Sequence, residues 1–252
     1  MKLKNKVAIV TGGSSGIGRA GAISLAKEGA DILITYRSNK KGALEVKKKI
    51  NDLGRKCEIL KVDLENIDDI KMIIKKTLET FLGIDILVNN AGDCRSANFL
   101  DETIENLSYL LDTDVKSVFL LSQLASKEMI KRGGGAIINI TSISGIYVND
   151  PGIISYCASK AAANMLTMGM AKVLAEYKIR VNAILPGYMD TPLTWKASNV
   201  DKEVLEKALE NRTPLKRIGQ PEDISEMIVF LSSDDSKFMT GSLVVIDGGF
   251  IL

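Results

Sequence analysis

The groups that can do chemistry in this chain are phenols, amines, hydroxyls, thiols and carboxylates, because its 252 residues include no histidine. Ser-His-Asp and Cys-His catalysis, HExxH zinc sites and imidazole acid–base steps are therefore excluded. Any proton must move through Tyr, Lys, Asp, Glu, Cys or water. One spacing answers that need. Tyr156-Cys157-Ala158-Ser159-Lys160 opens a long apolar helical stretch, and residues four apart share a helix face. A tyrosine with its ordinary pKa near 10 is a poor acid–base group at neutral pH. A nearby ammonium favours the phenolate, each step of one in pKa corresponding to about 1.4 kcal/mol. The pair is expected to give a proton to a carbonyl oxygen or take one from an alcohol. Y-x-x-x-K is common by chance, so the reading depends on its partners.

The first partner is a glycine-rich turn, Thr11-Gly12-Gly13-Ser14-Ser15-Gly16-Ile17-Gly18, directly after the apolar run Val7–Val10. Gly12, Gly16 and Gly18 permit a tight turn, close approach to a pyrophosphate and close helix–strand packing. The following helix N-terminus offers unpaired N–H groups to phosphate. The spacing is GxxxGxG, not GxGxxG, and it lacks the Lys-Ser/Thr of a P-loop. The second strand ends Ile34-Thr35-Tyr36-Arg37-Ser38-Asn39-Lys40-Lys41, with no carboxylate before Glu45. A dinucleotide with a free 2′-hydroxyl usually meets Asp or Glu there, whereas a guanidinium suits a 2′-phosphate. Arg37 thus argues for NADP(H), with NAD(H) secondary, since Ser15 stands where a second basic residue would have helped.

These residues need a frame. Candidate strands are Val7–Val10, Ile32–Thr35, Glu58–Val62, Ile86–Asn89, Ala136–Ile140, Arg180–Ile184 and Leu243–Ile246. They are short, β-branched and mostly apolar on both faces, as strands covered on both sides should be. Helical patterns lie near 17–28, 40–53, 67–81, 101–132, 155–177, 200–211 and 221–232; the 101–132 stretch is long for one helix, with a break expected near Leu110–Thr113. Seven βα repeats predict a single α/β domain over 1–252, with a doubly wound, Rossmann-type, seven-stranded parallel sheet and helices on both faces. A TIM barrel would need an eighth unit.

Composition sets the remaining bounds. Lys and Arg number 33 against 31 Asp and Glu, so net charge +2 gives no electrostatic case for nucleic acid or a membrane surface. Cys57, Cys94 and Cys157 fit neither a disulfide framework nor a zinc site, and no metal is expected. No secretory leader and no run of about 18 apolar residues is visible, which predicts a cytoplasmic protein.

Over nearly its whole length the sequence resembles the short-chain dehydrogenase/reductase family. The matching pieces occur in the family's order: Thr11–Gly18, Asp63, Asn89-Asn90-Ala91-Gly92, Ser142, Tyr156/Lys160, Pro186-Gly187 with Thr191, and Asp247-Gly248-Gly249. Each falls at or just beyond the carboxyl end of a predicted strand, where open α/β sheets bind ligands. The resemblance implies that Tyr156 transfers the proton, while Ser142, 14 residues earlier, steadies the substrate oxygen, with Ser144 as fallback. It implies that Lys160 binds the nicotinamide ribose and lowers the tyrosine pKa. Asp63 would approach the adenine, Asn90 the adenosine side, and Met189 and Thr191 the carboxamide end. Gly12, Ser14, Ser15, Gly16, Ile17, Gly18, Arg37, Ala91, Gly92, Pro186 and Gly187 would complete the cofactor site. One residue departs from the pattern: Asp114 stands where the family usually has an Asn that helps hold a proton-relaying water. An ionised carboxylate there would stabilise Lys160 but weaken its field at Tyr156, predicting an alkaline-shifted pH optimum.

The segment near 188–213 is longer than a connection needs, and the family's corresponding stretch forms a mobile lid over the substrate. Trp195 with Met189, Ile143, Ile146 and Tyr147 suggests an apolar pocket for a bulky secondary alcohol or ketone such as a hydroxysteroid, although Trp195 serves equally well as a lid anchor. The pattern also looks like 3-oxoacyl-carrier-protein reductases, for which Lys131, Arg132 and Lys178 would supply a basic patch. A reading of another class is a non-catalytic NADP(H)-binding sensor or scaffold. The helix 155–177 is apolar over more of its circumference than one sheet face requires. That suggests a second buried face, and the family points to a homotetramer, with a dimer as alternative.

Overall fold

Strands that are apolar on both faces can be buried only between two layers, and alternation along each strand shows both layers here. The computed structural model describes residues 1–148, 150–196 and 201–252. Its strands are β1 (Val7–Val10), β2 (Asp31–Tyr36), β3 (Cys57–Lys61), β4 (Ile86–Asn89), β5 (Gly135–Ile140), β6 (Ile179–Pro186) and β7 (Leu243–Ile246). The helices are α1 (Gly16–Lys27), α2 (Lys40–Asp52), α3 (Ile67–Phe81), α4 (Ile104–Leu111), α5 (Ser117–Lys131), α6 (Ile154–Leu174), α7 (Pro192–Lys196), α8 (Lys202–Arg212) and α9 (Pro221–Ser232). All seven strands are parallel, in the order β3-β2-β1-β4-β5-β6-β7.

Ala8, Val10, Ile32, Ile34, Ile86 and Val88 point to one side, where Leu25 of α1, Val46 of α2 and Ile228 of α9 cover them. Ile9, Leu33 and Leu87, the residues between, point to the other side, against Ile73 of α3 and Leu121 of α5. This is the single doubly wound, Rossmann-type domain that the sequence predicts. Helix starts follow local chemistry. Asn66 accepts from the N–H groups of Asp68 and Asp69 to begin α3, and Pro221 with the Gln220–Asp223 capping box begins α9.

β2 and β3 lie on one side of β1, and β4 on the other. The chain therefore reverses direction between β1 and β4, leaving a crevice at their carboxyl ends. The glycine-rich turn enters it, with Gly12 at φ +65° and Gly16 at φ +51°, a region where a Cβ is strained.

The short helix α7 was not expected, and two longer elements depart from the expected plan near the crevice. The 101–132 stretch is interrupted slightly later than Leu110–Thr113, by a wide π turn over Asp112–Lys116 that joins α4 to α5 without breaking the axis into a loop. β6 runs on to Pro186, two residues past the expected end, which carries the chain to the crevice. Positions 197–200 of the expected lid, and with them the first residue of the 200–211 helix, lie outside the described residues.

Candidate active site

Tyr156 and Lys160 stand on the first turns of α6, whose start packs Tyr156 and Cys157 against Tyr109, Leu110 and Ile153. Ser142 follows β5 and caps the short turn Ile143–Gly145; its Oγ accepts from the Ser144 N–H at 3.0 Å. The Ser142 hydroxyl stands beside the Tyr156 phenol and favours its ionised form, and the Lys160 Nζ lies 5.4 Å from the centre of the Tyr156 ring. The three groups meet because the carboxyl end of β5 and the amino end of α6 converge at the same rim of the sheet.

The protonation energetics differ from the sequence expectation. Burial holds the Tyr156 phenol well above its ordinary value; Cys94 and the Asp114 carboxylate push the same way, and only the Ser142 hydrogen bond opposes them. The amine alone does not make this phenol acidic, because desolvation of the phenolate outweighs it. Asp114 explains part of the balance. It sits in the π turn, essentially fully buried, with Oδ2 accepting from the Ser159 hydroxyl at 2.9 Å and Oδ1 3.5 Å from Lys160 Nζ. Oδ1 has no hydrogen-bond partner. Burial raises the Asp114 pKa, against the pull of Lys160. The close approach needs Gly92: a Cβ there would stand 2.7 Å from Asp114 Oδ1 and 3.1 Å from Lys160 Nζ.

A single cavity of about 620 Å³ runs from the glycine-rich turn to these residues. It is lined by every residue expected to touch a dinucleotide except Gly18, which lies behind the turn against the Asn90 amide. Asn90 also holds the turn, donating to the Thr11 carbonyl at 2.9 Å. Arg37 and Asp63 line the far end of the cavity, beyond β2 and β3. The cavity fits a nicotinamide dinucleotide on its own geometry. Ser15 is the N-cap of α1 yet makes no side-chain cap bond, and the strained Gly12 and Gly16 keep side chains out of the cradle, so the first N–H groups of α1 face the cavity for a phosphate.

Three corrections concern the substrate end. Met189 and Ile143 line the cavity together with Leu193, but Trp195, Ile146 and Tyr147 do not. Trp195 turns into an apolar cluster with Leu185, Leu209 and Phe250, and its indole donates to Asp190 Oδ1 at 2.7 Å. It anchors α7 and does not line the cavity. Ile146 and Tyr147 are exposed. The basic residues Lys131, Arg132 and Lys178 precede β5 and β6, so they lie at the amino edge of the sheet, opposite the cavity. Two are already paired, Lys131 with Glu128 at 2.8 Å and Arg132 with Asp85 at 3.0 Å. Among the described residues no cluster of His, Cys, Asp and Glu could hold a metal, and no helix is long and apolar enough to cross a membrane.

Sequence reasoning missed Asp93, Cys94, Tyr109 and Lys196, all at the cavity or its rim. Asp93 and Cys94 directly follow Asn89–Gly92, and that adjacency was the available signal. Burial pushes the Cys94 thiol up to about 12, so it stays protonated.

Residues 12–251 match the family model described as enoyl-(acyl carrier protein) reductase. The chain is 38% identical over 252 residues to the 3-oxoacyl-[acyl-carrier-protein] reductase FabG of Thermotoga maritima, covering all of both chains. Among solved structures, a short-chain dehydrogenase/reductase from Serratia marcescens superposes with a TM-score of 0.93 at 32% identity, covering all of both chains. The acetoin dehydrogenase YohF from Salmonella typhimurium gives 0.88 at 37% identity, covering 98% of this chain and 96% of that one. Since the likeness spans the whole chain in sequence and in fold, this protein belongs to the short-chain dehydrogenase/reductase family, nicotinamide-dependent oxidoreductases acting between CH–OH and C=O groups.

Proposed function

We propose that the chain is an NADP(H)-dependent oxidoreductase interconverting a ketone and a secondary alcohol, with a substrate that presents a slim reacting end. The observation that carries this reading is that Ser142, Tyr156 and Lys160 share one cavity with the glycine-rich turn and Arg37. When bound, the nicotinamide supplies the hydride and takes it back in the reverse direction. This chain's residues do the rest. In reduction the carbonyl oxygen, hydrogen-bonded by Ser142, takes the Tyr156 proton as the C=O π bond breaks, and the phenolate regains a proton from solvent. Lys160, held by Asp114, steadies the phenolate that forms.

The 620 Å³ cavity must take a dinucleotide and the reacting part of the substrate together. Pockets for one drug-sized ligand already span about 300–1,000 Å³, so the remaining room favours a small ketone or the end of a linear chain over a fused-ring steroid. Trp195, Ile146 and Tyr147, on which the steroid expectation rested, do not line that room. A 3-oxoacyl thioester is the second reading, favoured by the likeness to the Thermotoga reductase. NADPH oxidation measured with small hydroxyketones and diketones, 3-oxoacyl thioesters and steroid ketones tests these. Turnover of the first or second group is expected to exceed that of steroids. A preference for steroids overturns the slim-end reading, and no turnover of any group would favour the sensor or scaffold.

The direction of the Tyr156 shift gives a pH prediction. Oxidation of the alcohol needs the phenolate, so kcat/KM in that direction is expected to rise into the alkaline range. Asp114→Asn removes one of the charges that raise the phenol's pKa, so the rising limb should move to lower pH. An unmoved limb would show that Asp114 has no electrostatic hold on Tyr156.

Assembly as a homotetramer in the cytoplasm completes the proposal. Phe119 on α5 and Met165 and Met168 on α6 are exposed apolar side chains facing away from the sheet, which supports burial against another subunit. Sedimentation equilibrium is expected to give four times the 27.4 kDa chain mass; a monomer at micromolar concentration would contradict it.

A further inference from the structure

Asp93 leaves β4 just past Gly92, and its carboxylate is the meeting point of cations from three separate segments. Oδ2 accepts from the Tyr109 hydroxyl of α4 at 3.1 Å and lies 3.8 Å from the Arg37 guanidinium beyond β2 and 3.7 Å from Arg95 Nε. Oδ1 accepts from the Cys94 N–H at 3.0 Å and lies 3.6 Å from Nζ of Lys196, the last residue of α7. Arg37 also donates to the Tyr109 hydroxyl, and the Arg95 guanidinium stacks 3.3 Å from the Tyr109 ring centre. The Asp93 side chain is 9% exposed, whereas that of Lys196 is 70% exposed. One buried anion is thus shared by Arg37, Arg95 and Lys196. Three cations around a single carboxylate repel one another, so withdrawing one strengthens the hold on those that remain.

We propose that Asp93 couples the adenosine end of the cofactor cleft to the lid helix α7, because a phosphate that draws Arg37 away leaves the carboxylate to hold Lys196 and seat α7 over the substrate. The coupling rests on the reading of Arg37 as the 2′-phosphate ligand. Asp93 and Lys196 are positioning residues: they act on where the lid sits, not on the reacting atoms. A linkage of this kind is reciprocal, so a seated lid also favours the 2′-phosphorylated form of the cofactor.

Trp195, the only tryptophan, adjoins Lys196 and gives a readout that requires no turnover. Acrylamide quenching of its fluorescence is measured with 2′,5′-ADP and with 5′-ADP, which lacks the 2′-phosphate. The 2′,5′-ADP is expected to lower the quenching constant about twofold, and 5′-ADP to leave it unchanged. In Asp93→Asn and in Lys196→Gln the response should vanish. Asp93→Asn should also bind 2′,5′-ADP about threefold more tightly by calorimetry, since Arg37 loses its competitor. In kinetics, the ketone KM is expected to be about threefold lower with NADPH than with NADH in the parent chain, and equal in both variants. Lys196→Gln changes an exposed side chain, so the test survives if Asp93→Asn fails to fold. If Lys196→Gln alone loses the response while a folded Asp93→Asn keeps it, the lysine answers the phosphate directly and the shared carboxylate is overturned. Arg37→Ala separates the two layers of argument. Unchanged 2′,5′-ADP affinity in that variant overturns the Arg37 reading and the coupling with it. Weakened affinity, with the quenching response intact in Lys196→Gln, overturns the coupling alone.

Discussion

Tyr156→Phe is expected to lower kcat about 10³-fold in both directions while leaving the affinity for 2′,5′-ADP within about twofold of the parent. The substitution removes one oxygen and keeps the ring that packs against Leu110 and Ile153, so the start of α6 should hold its place. What is lost is the proton that must reach the carbonyl oxygen as the hydride arrives. Ser142 cannot replace it: its hydroxyl already interacts with the phenol and its Oγ accepts the Ser144 N–H, a geometry suited to stabilising charge. The raised phenol pKa adds a signature. A group that stays protonated through neutral pH serves reduction at full occupancy, so reduction by the parent chain should be nearly flat from pH 6 to 8 while oxidation climbs. In Tyr156→Phe the residual oxidation should lose that climb. Full activity of the variant, measured as NADPH consumption at saturating ketone, would overturn the mechanism.

How far the sequence reaches is clearest element by element. The strands were legible because parallel strands covered on both faces need two-sided apolar residues, which Val7–Val10 and Ile86–Asn89 display without ambiguity. The glycine-rich turn and Tyr156/Lys160 were legible because each has a local spacing, four residues or fewer between its parts. The site around Asp93 was not, since Arg37, Tyr109 and Lys196 come from segments separated by dozens of residues and meet only through the crossover topology. Trp195 shows a subtler limit. A tryptophan in a long connection suggests a ligand wall, yet here it packs into the apolar cluster of Leu185, Leu209 and Phe250, which burial favours and sequence cannot show. The Tyr156 pKa failed for a related reason: adjacency to an amine is visible in sequence, while the burial that raises the phenol, and the Cys94 and Asp114 neighbours that push the same way, are supplied only by folding.

Arg37→Ala is expected to lower kcat/KM for NADPH about 30-fold while changing that for NADH by no more than about twofold. The asymmetry follows from where negative charge is absent. A ribose 2′-hydroxyl asks for a carboxylate at the end of β2, and the first one downstream, Glu45, pairs with Arg19 at 3.3 Å on the outer side of α2. Asp63, at the end of β3, is occupied in part by the Glu65 N–H at 3.1 Å. The positions that line the crevice instead are Arg37, Ser38 and Asn39, all exposed and leading through Lys40 and Lys41 into the positive end of α2. A 2′-phosphate dianion gains there and a hydroxyl gains little. Removing the guanidinium should leave a residual NADPH preference, carried by Lys40, Lys41 and the helix terminus, so the ratio should fall toward unity without inverting. The stability change should be small. The Arg37 side chain is 51% exposed and its ion pair with Asp93 is long, at 3.8 Å, and exposed pairs contribute about 0–1 kcal/mol. Steady-state kinetics with both cofactors at a fixed ketone concentration decide the matter: a parent chain that uses NADPH and NADH equally, or a variant whose preference is unchanged, would place the determinant of cofactor choice somewhere other than the end of β2.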